Sequence, residues 1–216
     1  KILENVQRVP MSISVLSDRR LEGMNAVRVQ DIIQGVPNVA MELFTPRQSS
    51  LAIRGIGKNP ANDGLEASVG VFLDGVFLGR PGMLSTDLVD LERVEVLRGP
   101  QGTLFGKNVT AGALNISTRG PDDVAQGYAQ ATLGNADLVE VKAAVSGPIG
   151  KSGVGYRLTG FSAERDGFTD AVLTGKDLGE LDRHGVRPQL QWRPSAGARW
   201  RAIIDHSAED EDGPAI

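Results

Sequence analysis

The sequence predicts a small α+β unit followed by an antiparallel β-meander. Three observations carry this. Short apolar runs bounded by Gly, Pro, Asn and Asp recur along the chain, as strands and turns require. Val29, Ile32 and Ile33 sit at helical spacing instead. Beyond Pro121 the runs become alternations of apolar and polar residues. Glycine supplies 27 of 216 residues and aromatics only 5%, which favours a turn-rich β architecture over a helical bundle.

Taken in order, Met11, Ile13 and Val15 alternate with Ser12 and Ser14, predicting a strand with one buried face. Residues 26–35 predict a helix that Gly35 and Pro37 stop. Residues 49–55 predict a short strand ending at Arg54-Gly55, and 56–67 a polar loop. Residues 68–78 read as a hairpin around Asp74-Gly75, a strong turn dipeptide. A loop at 79–85 and a short turn or helix at 86–91 follow. Residues 91–120 then read as strand, glycine-rich loop and strand, with Arg93–Leu97 and Ala113–Ile116 as the apolar runs.

In the second half, alternation marks strands at 127–133, 138–146, 154–163, 186–193 and 199–208, with Ile203 off pattern. Short links at 146–153 and 193–199 alternate with a long polar segment at 165–185. Trp192 and Trp200 flank one short link. Short turns on one side, long loops on the other and aromatic girdle residues are features of membrane barrels. A soluble antiparallel sheet alternates too. The domain boundary is expected at 121/122.

Composition narrows the function classes. Net charge is −4, with no basic stripe, so a general nucleic-acid binder is not expected. The chain has no cysteine, which excludes disulfides, thiol catalysis and Cys-ligated zinc within it. No run approaches the roughly 20 apolar residues of a membrane-spanning helix, and barrel strands carry a weaker signal. No signal peptide is read at Lys1, and a mature or trimmed chain is expected.

The first half resembles the plug domain of TonB-dependent outer-membrane receptors. Its landmarks stand in the family's order: Val9-Pro10-Met11-Ser12-Ile13, Asp31-Ile32-Ile33 with Val36-Pro37-Asn38-Val39, and Ile53-Arg54-Gly55. Then come Phe72-Leu73-Asp74-Gly75-Val76, Glu92–Pro100, Thr103-Leu104-Phe105-Gly106 and Ala111–Ile116. The resemblance covers roughly residues 4–121, and the meander fits the opening strands of the barrel. It implies a plug domain over 1–121, a small mixed sheet with short helices. It also implies that 122–216 holds the first about five strands of a truncated transmembrane β-barrel, short of the roughly 22 that close such a barrel. The chain is therefore expected to be part of a longer protein, and the family's TonB-coupling segment is not found before Lys1.

The resemblance implies an outer-membrane receptor and transporter, with its plug in the barrel lumen accessible from the periplasm. It would import a scarce ligand, a ferric siderophore or another iron chelate, with cobalamin, haem and oligosaccharide as alternative cargoes. The implied partners are a TonB-type energising protein of the inner membrane, outer-membrane lipid and the small-molecule chelate, with no nucleic acid. Neither a resident cofactor nor an enzymatic activity is implied. Lys58, Asn59, Asn62, Arg80 and Met83 fall in the loops that match the plug apices and are candidate ligand contacts. Cationic Lys58 and Arg80 would attract an anionic chelate. Arg54 and Arg98, with Glu95, match a latch between plug and wall, whose acidic partners are expected outside this stretch.

Other chemistries fit less well. Residues 102–108 lack the first glycine and the terminal Ser or Thr of a phosphate loop. A nucleotide-binding enzyme using residues 99–107 therefore predicts a Lys107-dependent affinity. His184 and His206 have no nucleophile-elbow sequence to work with. The acidic run at 209–212 would suit a hard cation or, more simply, a solvated loop, and no metal site is assigned. A soluble plug-like binding module remains the alternative of another class.

Overall fold

In a computed structural model of the protein, the structure describes residues 12–45, 48–59, 62, 65–80, 83–84, 87–150, 152–171, 176–195 and 197–211. The motif start Val9-Pro10-Met11, parts of both expected apical loops and Asp212 lie outside the described residues. The chain divides into two units, Lys1–Arg119 and Gly120–Ile216.

The first unit opens with β1 (Ile13–Ser17), α1 (Asp18–Gly23), α2 (Val29–Gln34), β2 (Val39–Thr45) and β3 (Gln48–Ile53). It continues with β4 (Val69–Leu73), β5 (Val76–Phe77), β6 (Leu91–Arg98), α3 (Gly102–Phe105) and β7 (Gly112–Thr118). A five-stranded sheet runs in the order β1-β6-β7-β4-β5, and β2 and β3 pair separately. The sheet is mixed: β4 runs parallel to β7, whereas β1, β5 and β7 are antiparallel to their other neighbours.

Alternation decides which side chains enter the core. Leu16, Val94, Val96, Leu114, Ile116 and Val71 share one face and pack with Leu21 of α1 and Val29, Ile32 and Ile33 of α2. The opposite face is filled at one end by Phe72, Leu97, Val109 and Ala113, with Phe105 beside Phe72 at a ring separation of 4.8 Å. Asp31 explains where α2 begins: its Oδ2 accepts hydrogen bonds from the backbone N–H of Val27 (2.9 Å) and Arg28 (2.8 Å), as a capping-box carboxylate does. The helix therefore starts three residues later than the spacing predicts. Helix α1 and strand β2 were not anticipated. Only Leu21 of α1 is buried, so the helix shows no apolar period. Asp87–Asp90 form no helix; Leu88 instead donates its N–H to the Val27 carbonyl at 2.6 Å.

The second unit contains β8 (Gln126–Leu133), β9 (Val139–Ile149), β10 (Val154–Arg165), β11 (Thr169–Ala171) and β12 (Lys176–Leu178). It ends with β13 (Leu181–Ser195), β14 (Ala198–Ile203) and β15 (His206–Glu211). The sheet order is β14-β13-β10-β9-β8, all antiparallel, and β15 also pairs with β13. Two expectations need correction. The long polar segment at 165–185 holds the β11–β12 hairpin, and β13 already begins at Leu181. The single strand expected at 199–208 breaks at Ile204–Asp205, and both halves pair with β13. The break has a cause in charge: Arg187 Nε donates to Asp205 Oδ2 at 2.8 Å, and the Arg187 side chain is 6% exposed. A buried guanidinium is costly without a carboxylate partner, and the break places Asp205 where it supplies one.

Candidate functional site

The first unit holds a partly open cavity of about 200 Å³ that brings together both expected apical loops. Lys58 and Arg80 line it, with Ser49, Ser50 and Leu51 of β3, Val69 and Val71 of β4, and Glu66, Phe77 and Asn108. Its wall is thus part apolar strand and part polar loop, the mixture a small-molecule site needs. Ser50 Oγ donates to the Lys58 carbonyl at 2.6 Å and ties the loop to β3. Asn59, Asn62 and Met83 are not among its described lining residues. Asn62 N–H donates to the Asn59 carbonyl (3.2 Å) and Met83 N–H to the Arg80 carbonyl (3.0 Å), so they shape the loops beside the cavity. Ser49 and Ser50, buried on a strand, were missed because a buried serine in a sequence looks like any strand residue.

The arginines expected to act together have different settings. Arg54 is exposed and holds a left-handed backbone, φ 55°, next to Gly55 at φ 79°. A non-glycine residue there carries a backbone cost of about 1–2 kcal/mol, a pattern concentrated at functional positions. Its N–H donates to the Asn38 carbonyl at 2.9 Å. Arg98 is engaged inside its own unit. Nη1 donates to Ser14 Oγ (2.9 Å), Nη2 to the Pro37 carbonyl (3.1 Å) and the backbone N–H to the Ser12 carbonyl (3.0 Å). It fastens the start of β1 to the end of β6.

Glu95 is also engaged in its own sheet. Its Oε2 accepts from Asn115 Nδ2 at 2.6 Å and its Oε1 from Arg93 Nε at 3.0 Å. Burial works against the Arg93 charge, but the hydrogen bonds Arg93 donates to Glu95 and Glu92 and their negative charges outweigh it and raise the Arg93 pKa. Asp74, at the hairpin tip, is a clasp that the turn motif alone did not reveal. Its two carboxylate oxygens accept from Thr118 N–H (3.0 Å) and Thr118 Oγ1 (2.7 Å). Lys107, the cation of the phosphate-like loop, pairs with Glu66 at 3.2 Å, both side chains well exposed.

The second unit has inverted polarity. On β13 the residues Arg183, Arg187, Gln189 and Gln191 are buried, while Val186, Leu190 and Trp192 on the other face are exposed. The register extends both faces across the sheet. Arg157 and Ser146 are level with Gln189, and Leu158 and Val145 with Pro188. Trp192 stands directly opposite Trp200. His184 Nδ1 lies 3.8 Å from Asp182, both exposed, and among the described residues no group of three or more His, Cys, Asp or Glu could hold a metal ion.

The family model of the TonB-dependent receptor plug domain matches residues 5–113. The chain belongs to this family. It is 38% identical over 151 residues to the pesticin receptor of Yersinia enterocolitica, a match covering 67% of this chain and 20% of that receptor. It is 26% identical to the ferrichrome outer membrane transporter/phage receptor of Escherichia coli, over 96% of this chain and 27% of that protein. Among solved structures, the ferric yersiniabactin uptake receptor of Yersinia pestis superposes with a TM-score of 0.80 at 28% identity, covering 92% of this chain and 31% of that one. The chain thus spans about a fifth to a third of the length of these relatives. Its fold is a plug domain, a mixed sheet with short helices, followed by antiparallel strands like part of the family's barrel.

Proposed function

We propose that the intact protein is a TonB-dependent receptor of the bacterial outer membrane that binds and imports a ferric siderophore or related iron chelate. The observation that carries this reading is the inverted polarity of β9, β10 and β13. A soluble sheet hides Val145, Leu158, Leu190 and Trp192, whereas here these side chains are 44–51% exposed and the charged face is buried. The relatives named above are receptors and transporters, and the receptor of similar fold takes up ferric yersiniabactin. In this reading residues 1–121 are the plug and residues 122–216 belong to the wall. Energy comes from a TonB-type inner-membrane partner, and no covalent chemistry is required of the chain.

The ligand face is assigned to the cavity. Lys58 and Arg80 supply positive charge, and Asn59, Asn62 and Met83 supply contacts from the same loops. The latch to the wall is assigned to Arg54, whose side chain projects into solvent from a strained turn, with Glu95 and Arg98 bracing the sheet behind it. The test is growth under iron limitation. A host lacking its own siderophore receptors would express the full-length protein and receive ferric yersiniabactin, ferrioxamine B or ferrichrome in turn, with haem and cobalamin as the other cargo classes. Rescue by an iron chelate supports the reading. Rescue by none, with the protein correctly inserted, sinks it.

A further inference from the structure

Residues 120–125 join the two units without regular secondary structure, and although residues 123–125 are exposed, Pro121 is buried, Asp122 half-buried and both aspartates are held. Consecutive carboxylates are each taken by a guanidinium of the wall. Arg157 Nη1 donates to Asp122 Oδ2 at 2.9 Å, and Arg193 Nη1 donates to both oxygens of Asp123 at 2.7 and 3.0 Å. Arg193 is itself held, because the Gln191 carbonyl, with its amide turned accordingly, accepts from Nη2 (2.8 Å) and Nε (3.0 Å). The Asp122 N–H donates to Ser146 Oγ at 2.8 Å, and that hydroxyl donates to the Tyr156 carbonyl at 3.0 Å. Ser146 is 1% exposed and the Arg157 side chain 5%.

Two glycines make room for the segment. A Cβ on Gly155 would come within 3.1 Å of Pro121 Cβ, and one on Gly147 within 3.1 Å of Ala125 Cα. Connectors between domains that move freely are exposed and make few fixed contacts. This one commits two charges, one of them to an arginine whose side chain is buried.

We propose that residues 120–125 are an anchor built into the wall, with Arg157 and Arg193 as its positioning residues. The chain from Gly120 onward stays seated while the plug rearranges, so any movement during uptake is taken up before Gly120. That consequence rests on the receptor reading; the anchor itself does not.

Two measurements on the full-length receptor separate the two. The first is hydrogen exchange of the purified protein in detergent. The Asp122 amide is expected to exchange with the slow amides of β9 and β10. Asp122→Asn and Arg157→Gln should each speed it by on the order of tenfold or more, the loss of a charged hydrogen bond. The swapped pair Asp122→Arg with Arg157→Asp should recover part of the protection. Asp123→Asn, nearer the surface, provides a milder variant if the others fail to fold. Exchange at the open-chain rate in the unmodified protein overturns the anchor, and so does indifference to all of these variants.

The second measurement locks Pro121→Cys to Gly155→Cys, whose Cβ atoms would start 3.1 Å apart and reach disulfide spacing with a shift of about half an ångström, in a stretch with no cysteine of its own. Uptake of radio-iron yersiniabactin is compared in oxidised and reduced cells. Equal uptake is expected. Uptake lost on oxidation and restored by reduction overturns the claim that the segment stays seated. No uptake in either state, by this double variant or by the unmodified receptor, counts against this cargo, and the exchange result then decides the anchor alone.

Discussion

Gly112→Ala should unlock the plug sheet. Gly112 stands between Arg98 of β6 and Val69 of β4, at φ +153°. A Cβ there would lie 2.3 Å from the Leu97 carbonyl oxygen and 2.7 Å from Ile53 Cδ1. The side chain can give way, but the carbonyl belongs to the backbone. It would have to move by about 1 Å to reach an ordinary contact, turning out of the β6–β7 ladder. The backbone conformation contributes about 1–3 kcal/mol and each weakened ladder bond about 0.5–1.5 kcal/mol, so the expected loss is about 2–5 kcal/mol. Gly55→Ala is the control. Gly55 has φ +79° and nothing within 4 Å of its Cβ position, so only the backbone cost of about 1–2 kcal/mol applies. Native-state hydrogen exchange of the full-length receptor reads both, from the amides of β6 and β7. If Gly112→Ala weakens those amides no more than Gly55→Ala does, the close approach to Leu97 is not what fixes this glycine.

Two predictions concern the proposed sites. Arg54→Gly removes the left-handed strain while adding chain entropy to the unfolded state, so stability should change by less than about 1 kcal/mol. If Arg54 is the latch, uptake or its regulation should nevertheless change, and unaltered transport with unaltered stability would remove it from that role. Lys58→Glu together with Arg80→Glu should weaken an anionic chelate by on the order of tenfold or more at low salt, with the difference shrinking as ionic strength rises. Equal weakening of an uncharged chelate would show that the effect is steric.

The fold was legible wherever a pattern repeats. Strands β9 and β10 follow from alternation, β6 and β7 from the apolar runs at 93–97 and 113–116, and the β4–β5 turn from Asp74-Gly75. Helix α1 and the break between β14 and β15 were not legible, because each depends on a contact distant in sequence: Leu21 entering the sheet core, and Arg187 drawing Asp205 out of line. The site was half legible. Lys58 and Arg80 are cations in glycine-rich loops and stand out, whereas Ser49 and Ser50 acquire meaning only from the cavity behind them. Likewise Arg98 reads as a strand-end charge in the sequence, and only the structure gives it Ser14 and Pro37 as partners. The two aspartates after Pro121 looked like a boundary and are a pair of fastenings.

Where the lipid would begin and end can be worked out from β13. On the receptor reading, Trp192, opposite Trp200, would mark one interface, and Asp182, opposite Glu164 and Asp210, the other end of the same face. Ten residues apart, they span about 33 Å along the strand and about 25 Å along the membrane normal at a tilt of about 40°, the height of an outer-membrane apolar band. Leu158, level with Pro188 and Val145, falls near the middle and is 45% exposed. Leu158→Arg should therefore cost about 2–4 kcal/mol when the full-length receptor is unfolded by urea from phospholipid vesicles. Asp182→Arg should cost nearly nothing, because it lies at the edge and relieves a row of like charges. A soluble sheet predicts the reverse ranking for Leu158, since a charge on a water-facing strand is harmless. A tolerated Leu158→Arg would therefore reject the membrane wall itself, and with it the receptor reading that the wall supports.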